Sequence, residues 1–276
     1  MIPISRRQGC FLLIVVIFLL VLSSAVVSTT AVVAGRNCNR GAISSLADVP
    51  ILNYHKVDNF YHALSIAPEE FEEQMAYLSE NGFTTITPDQ LMAYLNQDKA
   101  LPEKPILITF DDGYLDNYTN AYPIMKKYGF TATIFLVTNK VGHEENFMTW
   151  DQVRTMQKDG FVFGSHTVSH AALTKVSHDQ AMMELSDSRK EMEHQLGVKT
   201  RYFAYPTGVY NHQIEEMVKL AGYKAAFTIR YGQAGAESNP YALERIPIFR
   251  GQHTFRSFFV RLNAAPILER FGLIRN

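Results

Sequence analysis

From residue 49 onward, short apolar runs rich in β-branched and aromatic residues alternate with amphipathic segments, and no other feature constrains the fold as tightly. The runs read VPILNYHKV, FTTIT, PILITF, FTATIFLV, FVFGS, RYFAYP, KAAFTI and ALERIPIF. Between them lie PEEFEEQMAYLSENG (stopped by Gly82), TPDQLMAYLNQ, YPIMKKYG, WDQVRTMQKDG, a long segment over residues 177–196, and NHQIEEMVKLAG. Three of these open on capping boxes, Thr87 with Gln90, Thr149 with Gln152 and Ser177 with Gln180, and Pro88 takes a first helical position. Such regular alternation predicts an α/β fold with parallel strands and helices outside, either a (β/α) barrel or an open doubly wound sheet. Both bind ligands at the carboxyl ends of their strands. Function is therefore sought just after the apolar runs.

The N-terminus differs. Residues 10–34 carry no charge, Arg6 and Arg7 precede them, and Arg36 follows. The paired arginines keep the N-terminus cytoplasmic and direct the rest outward. The uncharged run is long enough for a membrane anchor, which needs about 20 apolar residues. Its dense core and the small residues after it, Ser23-Ser24-Ala25 and Val32-Val33-Ala34, also fit a cleaved signal peptide. Either way the chain is exported, anchored to the membrane with its main domain outside the cytoplasm or secreted after cleavage. The expected organisation is a signal or transmembrane segment over residues 1–34, a linker over 35–48, one domain over 49–262 and an amphipathic tail over 263–276.

Composition narrows the classes. Lysine and arginine total 26 against 27 acids, net charge −1, and they are scattered. That excludes the basic stripe of a nucleic-acid binder. The two cysteines, Cys10 and Cys38, lie outside the main domain, so the domain relies on no disulfide framework despite its oxidising destination.

Two stretches carry chemistry. ILITFDDG (residues 106–113) ends an apolar strand on adjacent carboxylates, Asp111 and Asp112. Successive side chains point to opposite faces of a strand, and two like charges need a nearby cation. FGSHTVSH (residues 163–170) follows another strand and spaces His166 and His170 four residues apart, which puts both imidazoles on one face if the segment turns helically. Alone, the first fits a solvated turn and the second a chance pair. Together, two histidines and a carboxylate at strand ends make a recurrent zinc-type site with an open position for water or substrate.

This combination resembles the polysaccharide deacetylases, the NodB homology domain of carbohydrate esterase family four, over residues 49–249. The resemblance implies an irregular (β/α) barrel and a metal-dependent amide hydrolase. It implies that Asp111 is the general base, that Asp112, His166 and His170 hold one divalent metal, and that Thr207, after the proline of RYFAYPTG, offers a backbone N–H to the oxyanion. Zinc suits that donor set, with cobalt, nickel and iron as competitors. The substrate implied is an N-acetylglucosamine polymer of the cell envelope. A peptidoglycan deacetylase and a non-catalytic glycan-binding protein are the alternatives, since fold alone does not fix substrate.

Two departures stand out. Many relatives have an arginine two residues before that proline, paired with the catalytic aspartate; here the position is Ala204. Arg245, in ALERIPIF, is the candidate replacement. The family's C-terminal Leu-x-His, which supplies the acid, is also missing. PILNYHKVD instead ends a strand in His55, resembling the poly-N-acetylglucosamine deacetylase branch, where the acid-bearing strand moves to the N-terminal side. His55, not His253, is the expected general acid, standing across from Asp111. Tyr114 and Tyr205 are candidate sugar contacts. Trp150 is expected to pack at its helix start, and His62, His143, His178, His194 and His212 to be solvated.

Overall fold

The computed structural model describes residues 47–60, 62–249 and 255–264. The expected signal or membrane segment, most of the linker, His253 and most of the tail lie outside them. Among the described residues no helix is long and apolar enough to cross a membrane.

The strands are β1 (Val49–Tyr54), β2 (Lys56–Val57), β3 (Ser65–Ile66), β4 (Thr84–Thr85), β5 (Pro105–Phe110), β6 (Thr133–Leu136), β7 (Val162–Ser165), β8 (Tyr202–Ala204), β9 (Ala225–Tyr231), β10 (Gln233–Ala234) and β11 (Leu243–Pro247). The helices are α1 (Pro68–Glu80), α2 (Pro88–Leu95), α3 (Tyr122–Lys127), α4 (Trp150–Lys158), α5 (His178–Leu196), α6 (His212–Leu220) and α7 (Phe255–Phe259). The capping boxes at Thr87 and Thr149 form in full. At Ser177 only half forms: its hydroxyl accepts from the Gln180 N–H, while the Gln180 side chain turns to Glu184.

Strands β1, β11, β9, β8, β7, β6 and β5 pair in that order, all parallel, and β5 pairs back onto β1. That last pairing closes the sheet and decides for a barrel over an open sheet. The barrel is irregular because β9 reaches β11 through β10, which lies antiparallel on β1, without an intervening helix.

Strand alternation sorts the side chains. Ile51, Leu107, Phe135, Tyr202, Ala204, Phe227 and Leu243 share one buried cluster with Leu91 of α2. Their neighbours Leu52, Ile106, Ile108, Ile134 and Leu136 pack outward with Phe71, Met125 and Val153 of α1, α3 and α4. Phe203 and Ala226 pack with Leu185 and Met217 of α5 and α6. Two residues further along the inward rows, Ile51 leads to Asn53 and Leu107 to Thr109, which are paired in register, and then to His55 and Asp111. The lumen thus changes from apolar to polar toward the carboxyl ends of the strands, where a barrel carries its site.

Gly164, midway along β7, lets that lumen close. A Cβ there would lie 2.6 Å from the Phe135 ring and 2.8 Å from the Tyr202 carbonyl oxygen. Gly164→Ala is expected to destabilise the domain by about 1–3 kcal/mol through overpacking, read as a lowered Tm. An unchanged Tm would contradict this packing.

Candidate active site

Asp111 lies at the end of β5 with 1 % of its surface exposed, facing the fully buried Arg245 of β11. The Arg245 Nη1 donates to Asp111 Oδ1 at 2.8 Å and its Nη2 to Oδ2 at 2.7 Å. Two further guanidinium donors, on Nε and Nη1, reach the Thr228 carbonyl at 2.7 Å and the Thr109 hydroxyl at 3.1 Å. Asn53 Nδ2 adds a further bond to Asp111 Oδ2 at 3.0 Å. Burial alone would push the Asp111 carboxyl up; the Arg245 guanidinium, His166 and His55 overcome it and hold the carboxyl well below its usual range. Asp111 therefore stays ionised inside the barrel.

The next residue turns away. Asp112 has φ 73°, in the left-handed region, which asparagine, aspartate and histidine visit more readily than other side chains. This sharp turn is how adjacent carboxylates reach different partners. Asp112 Oδ1 lies 3.3 Å from His170 Nε2 and 3.6 Å from His166 Nε2. His166 Nδ1 is 2.8 Å from the Ala204 carbonyl oxygen. A carbonyl only accepts, so Nδ1 carries the proton and Nε2 turns its lone pair toward Asp112. Burial pushes the His166 imidazole down, against the pull of Asp111 and Asp112, which favours the neutral, ligating form.

The two imidazoles do face one site, but not through a helical turn. Residues 166–170 form no helix; left-handed conformations at Thr167 (φ 69°) and His170 (φ 64°) fold the loop back and bring the rings to 4.9 Å between centroids. Glu184 of α5, 4 % exposed, holds this loop by accepting from the Val168 and Ser169 N–H groups, both at 2.9 Å, and from the Ser169 hydroxyl at 2.7 Å.

A carboxylate oxygen and two imidazole lone pairs converging at these distances fit a divalent cation. For bonds of ~2.0–2.1 Å, a tetrahedral edge is about 3.4 Å, close to both observed separations. A second grouping, His212, Glu215 and Glu216, lies on the α6 surface. Its carboxylates are already bridged to Lys219 at 2.8 and 2.7 Å.

His55 follows β1, and its Nε2 is 3.9 Å from Asp111 Oδ2. The expectation that it stands across from Asp111 is corrected: the imidazole sits beside that carboxylate. The reason is register, since Tyr54 pairs with Phe110 and the next residues on each strand are therefore neighbours. Burial pushes the His55 imidazole down, partly offset by Asp111 and Asp112.

The other expected residues divide. Tyr114 is half-buried, stacks on Phe147 at 4.8 Å, and has its phenol pushed up by burial and by the Asp112 carboxylate, which its hydroxyl engages. Tyr205 is corrected: it is fully buried, stacks on Tyr210, and donates its hydroxyl to the Tyr241 carbonyl, leaving no surface for a sugar. Alternation explains this, because Ala204 faces the lumen and Tyr205 the helices. Thr207 lies in the turn after β8 with φ 60°. Trp150 packs partly buried on the outer core. His62, His143, His178, His194 and His212 are exposed.

The "Polysaccharide deacetylase" family model matches residues 98–226. The chain is 38 % identical over 205 residues to YxkH of Bacillus subtilis, a protein assigned to the polysaccharide deacetylases, covering 74 % of this chain and 73 % of that one. The chain belongs to the polysaccharide deacetylase family. It is also 30 % identical over 226 residues to the poly-β-1,6-N-acetyl-D-glucosamine N-deacetylase of Staphylococcus aureus, covering 71 % of this chain and 77 % of that one. Among solved structures it resembles the Streptococcus pyogenes deacetylase PplD in complex with acetate, with a TM-score of 0.72, 29 % identity, and coverage of 75 % of this chain and 95 % of that one.

In this deacetylase-family chain Arg245 takes the place left open at Ala204. Sequence reasoning missed Asn53 and Glu184. A polar residue inside the apolar run PILNY was the available signal for Asn53; Glu184, within the polar-rich helix α5, gave none. Removing the Arg245 charge would leave the Asp111 carboxyl buried and unpaired. Arg245→Met is expected to cost about 3–5 kcal/mol and lower Tm by roughly 6–20 °C, with partial recovery in Arg245→Met/Asp111→Asn. A Tm within about 1 °C of the parent would contradict the pairing.

Proposed function

We propose that this protein is a metal-dependent N-deacetylase that acts on an N-acetylglucosamine polymer of the poly-β-1,6 type at the cell envelope. The observation that carries the proposal is the placement of an ionised carboxylate, an imidazole and a two-histidine, one-carboxylate cluster together at one barrel mouth. The similarity to the Staphylococcus aureus enzyme supports the choice of polymer.

Asp112, His166 and His170 hold the cation, with zinc the best match to the donor set. When bound, it supplies Lewis acidity toward the acetyl oxygen and acidifies a water. Asp111 removes the proton from the attacking water. Arg245 and Asn53 keep that carboxylate aimed, and because three of its hydrogen bonds point to protein donors it stays fixed during proton transfer. The Thr207 backbone N–H stabilises the oxyanion. His55 gives a proton to the departing amine, which cannot leave as an amide anion. Tyr114 lines the sugar cleft beside Asp112. Residues 1–34 carry the chain out of the cytoplasm and anchor it unless cleaved.

The test is acetate release by the purified full-length chain from poly-β-1,6-N-acetylglucosamine and from peptidoglycan. Release from the first polymer, lost with a chelator and restored by zinc or cobalt, is expected. Release that persists after complete metal removal would overturn the metal-dependent mechanism, and activity on peptidoglycan alone would overturn the substrate.

A further inference from the structure

The imidazole of His55 lacks the support that His166 enjoys. His166 is oriented through Nδ1 by the Ala204 carbonyl. The Nδ1 of His55 is buried and has no hydrogen-bond partner among the described residues. Its ring touches Phe249 at 6.2 Å between centroids, tilted by 34°, a contact that restricts but does not aim it. With no hydrogen bond to Nδ1, the placement of the imidazole depends all the more on the backbone that carries it.

That backbone is gripped from one side by one turn of chain. After Asp112 the chain enters a π-helical turn, Asn117–Ala121, a form enriched at functional sites. Two amide side chains from this turn and the carboxylate of Asp116 just before it reach the segment after β1. Asn117 Nδ2 donates to the His55 carbonyl at 2.8 Å. Asp116 Oδ1 accepts from the Val57 N–H at 2.8 Å. Asn120 Nδ2 donates to the Val57 carbonyl at 2.7 Å. Asn117 is fully buried and also donates to Asp116 Oδ1 at 3.1 Å, which couples two of the three. Lys56 bridges to Asp58 at 2.6 Å and approaches Asp116 at 3.7 Å. On the other side, the Asp111 N–H donates to the Tyr54 carbonyl at 3.0 Å.

We infer that Asp116, Asn117 and Asn120 form a clamp that positions His55 for proton donation. They are positioning residues and act only through the histidine. The inference rests on the acid role proposed for His55. The clamp ties acid to base: the segment that ends in Asp111 and Asp112 runs straight into the residues that hold His55. One stretch, FDDGYLDNYTN (residues 110–120), thus fixes the base, one metal ligand and the aim of the acid.

Leaving-group dependence separates this role from general support. An amide nitrogen must be protonated as it leaves, whereas the phenolate of 4-nitrophenyl acetate departs without a proton. Full-length His55→Ala, Asn117→Ala and Asn120→Ala are assayed on a soluble N-acetylglucosamine oligomer and on 4-nitrophenyl acetate, with bound metal measured. Small misplacements of a catalytic group cost up to about 10²-fold. The expected result for Asn117→Ala is a kcat loss of that order on the amide. KM and metal content should be unchanged, and the ester rate should stay within about threefold of the parent. Asn120→Ala, at a half-buried site, should show the same split more weakly; it carries the test if Asn117→Ala does not fold. If His55→Ala shows the split and neither asparagine variant does, the clamp is overturned while the acid assignment stands. Equal loss on both substrates in the asparagine variants would also overturn it, by showing general damage to the site. If His55→Ala itself loses nothing on the amide, the acid role falls and the clamp's purpose with it.

Discussion

Everything at the barrel mouth depends on the buried ion pair between Asp111 and Arg245. A carboxylate with 1 % exposure cannot stay charged without a partner, and here the partner is a two-bond guanidinium fork that is itself held by Thr228 and Thr109. The pair spans β5 and β11, which flank β1 on its two sides. It therefore ties together the strands that meet where the sheet closes. A buried ion pair is weak evidence for net stability by comparison with apolar packing. What it provides here is a fixed anion at the barrel mouth, where the proposed mechanism needs a base.

The same pair explains why two adjacent acids do not repel each other into disorder. Asp111 is neutralised from inside the barrel. Asp112, turned out by its left-handed backbone, faces two imidazoles whose lone pairs call for a cation. Backbone strain of this kind gathers at this mouth, with Asp112, Thr167, His170 and Thr207 all at positive φ. Strained conformations persist where surrounding contacts over-determine them, and Glu184 and the Ala204 carbonyl are two such contacts. Parallel pairing of β1 with β5 then adds His55 to the same corner without any long-range device.

Much of this was legible in the sequence for a physical reason. Strand residues obey a period of two and helix starts carry local signals, so the parallel α/β class and the strand-end position of Asp111, Asp112, His166 and His170 follow from nearest-neighbour chemistry. Barrel closure was foreseen only through the family resemblance, because it depends on β1 meeting β5 across more than fifty residues. The conformation between the histidines stayed open for a related reason: H-x-x-x-H spacing suits a helix, and the left-handed residues found there leave little trace in residue type. Tyr205 was placed in the cleft because it adjoins a motif, whereas alternation sends it to the core. The sequence raised Arg245, on a different strand, as a replacement for the arginine absent at Ala204, and only the folded barrel shows it reaching Asp111.

In the proposed mechanism Asp111 and Asp112, adjacent in sequence, hold separate posts. Calorimetric zinc titration of Asp111→Asn and Asp112→Asn, beside acetate release by each, tests it most directly. Asp111→Asn is expected to bind zinc with near-parent affinity and release no acetate, while Asp112→Asn loses both. Equal loss of zinc affinity in the two variants would contradict it.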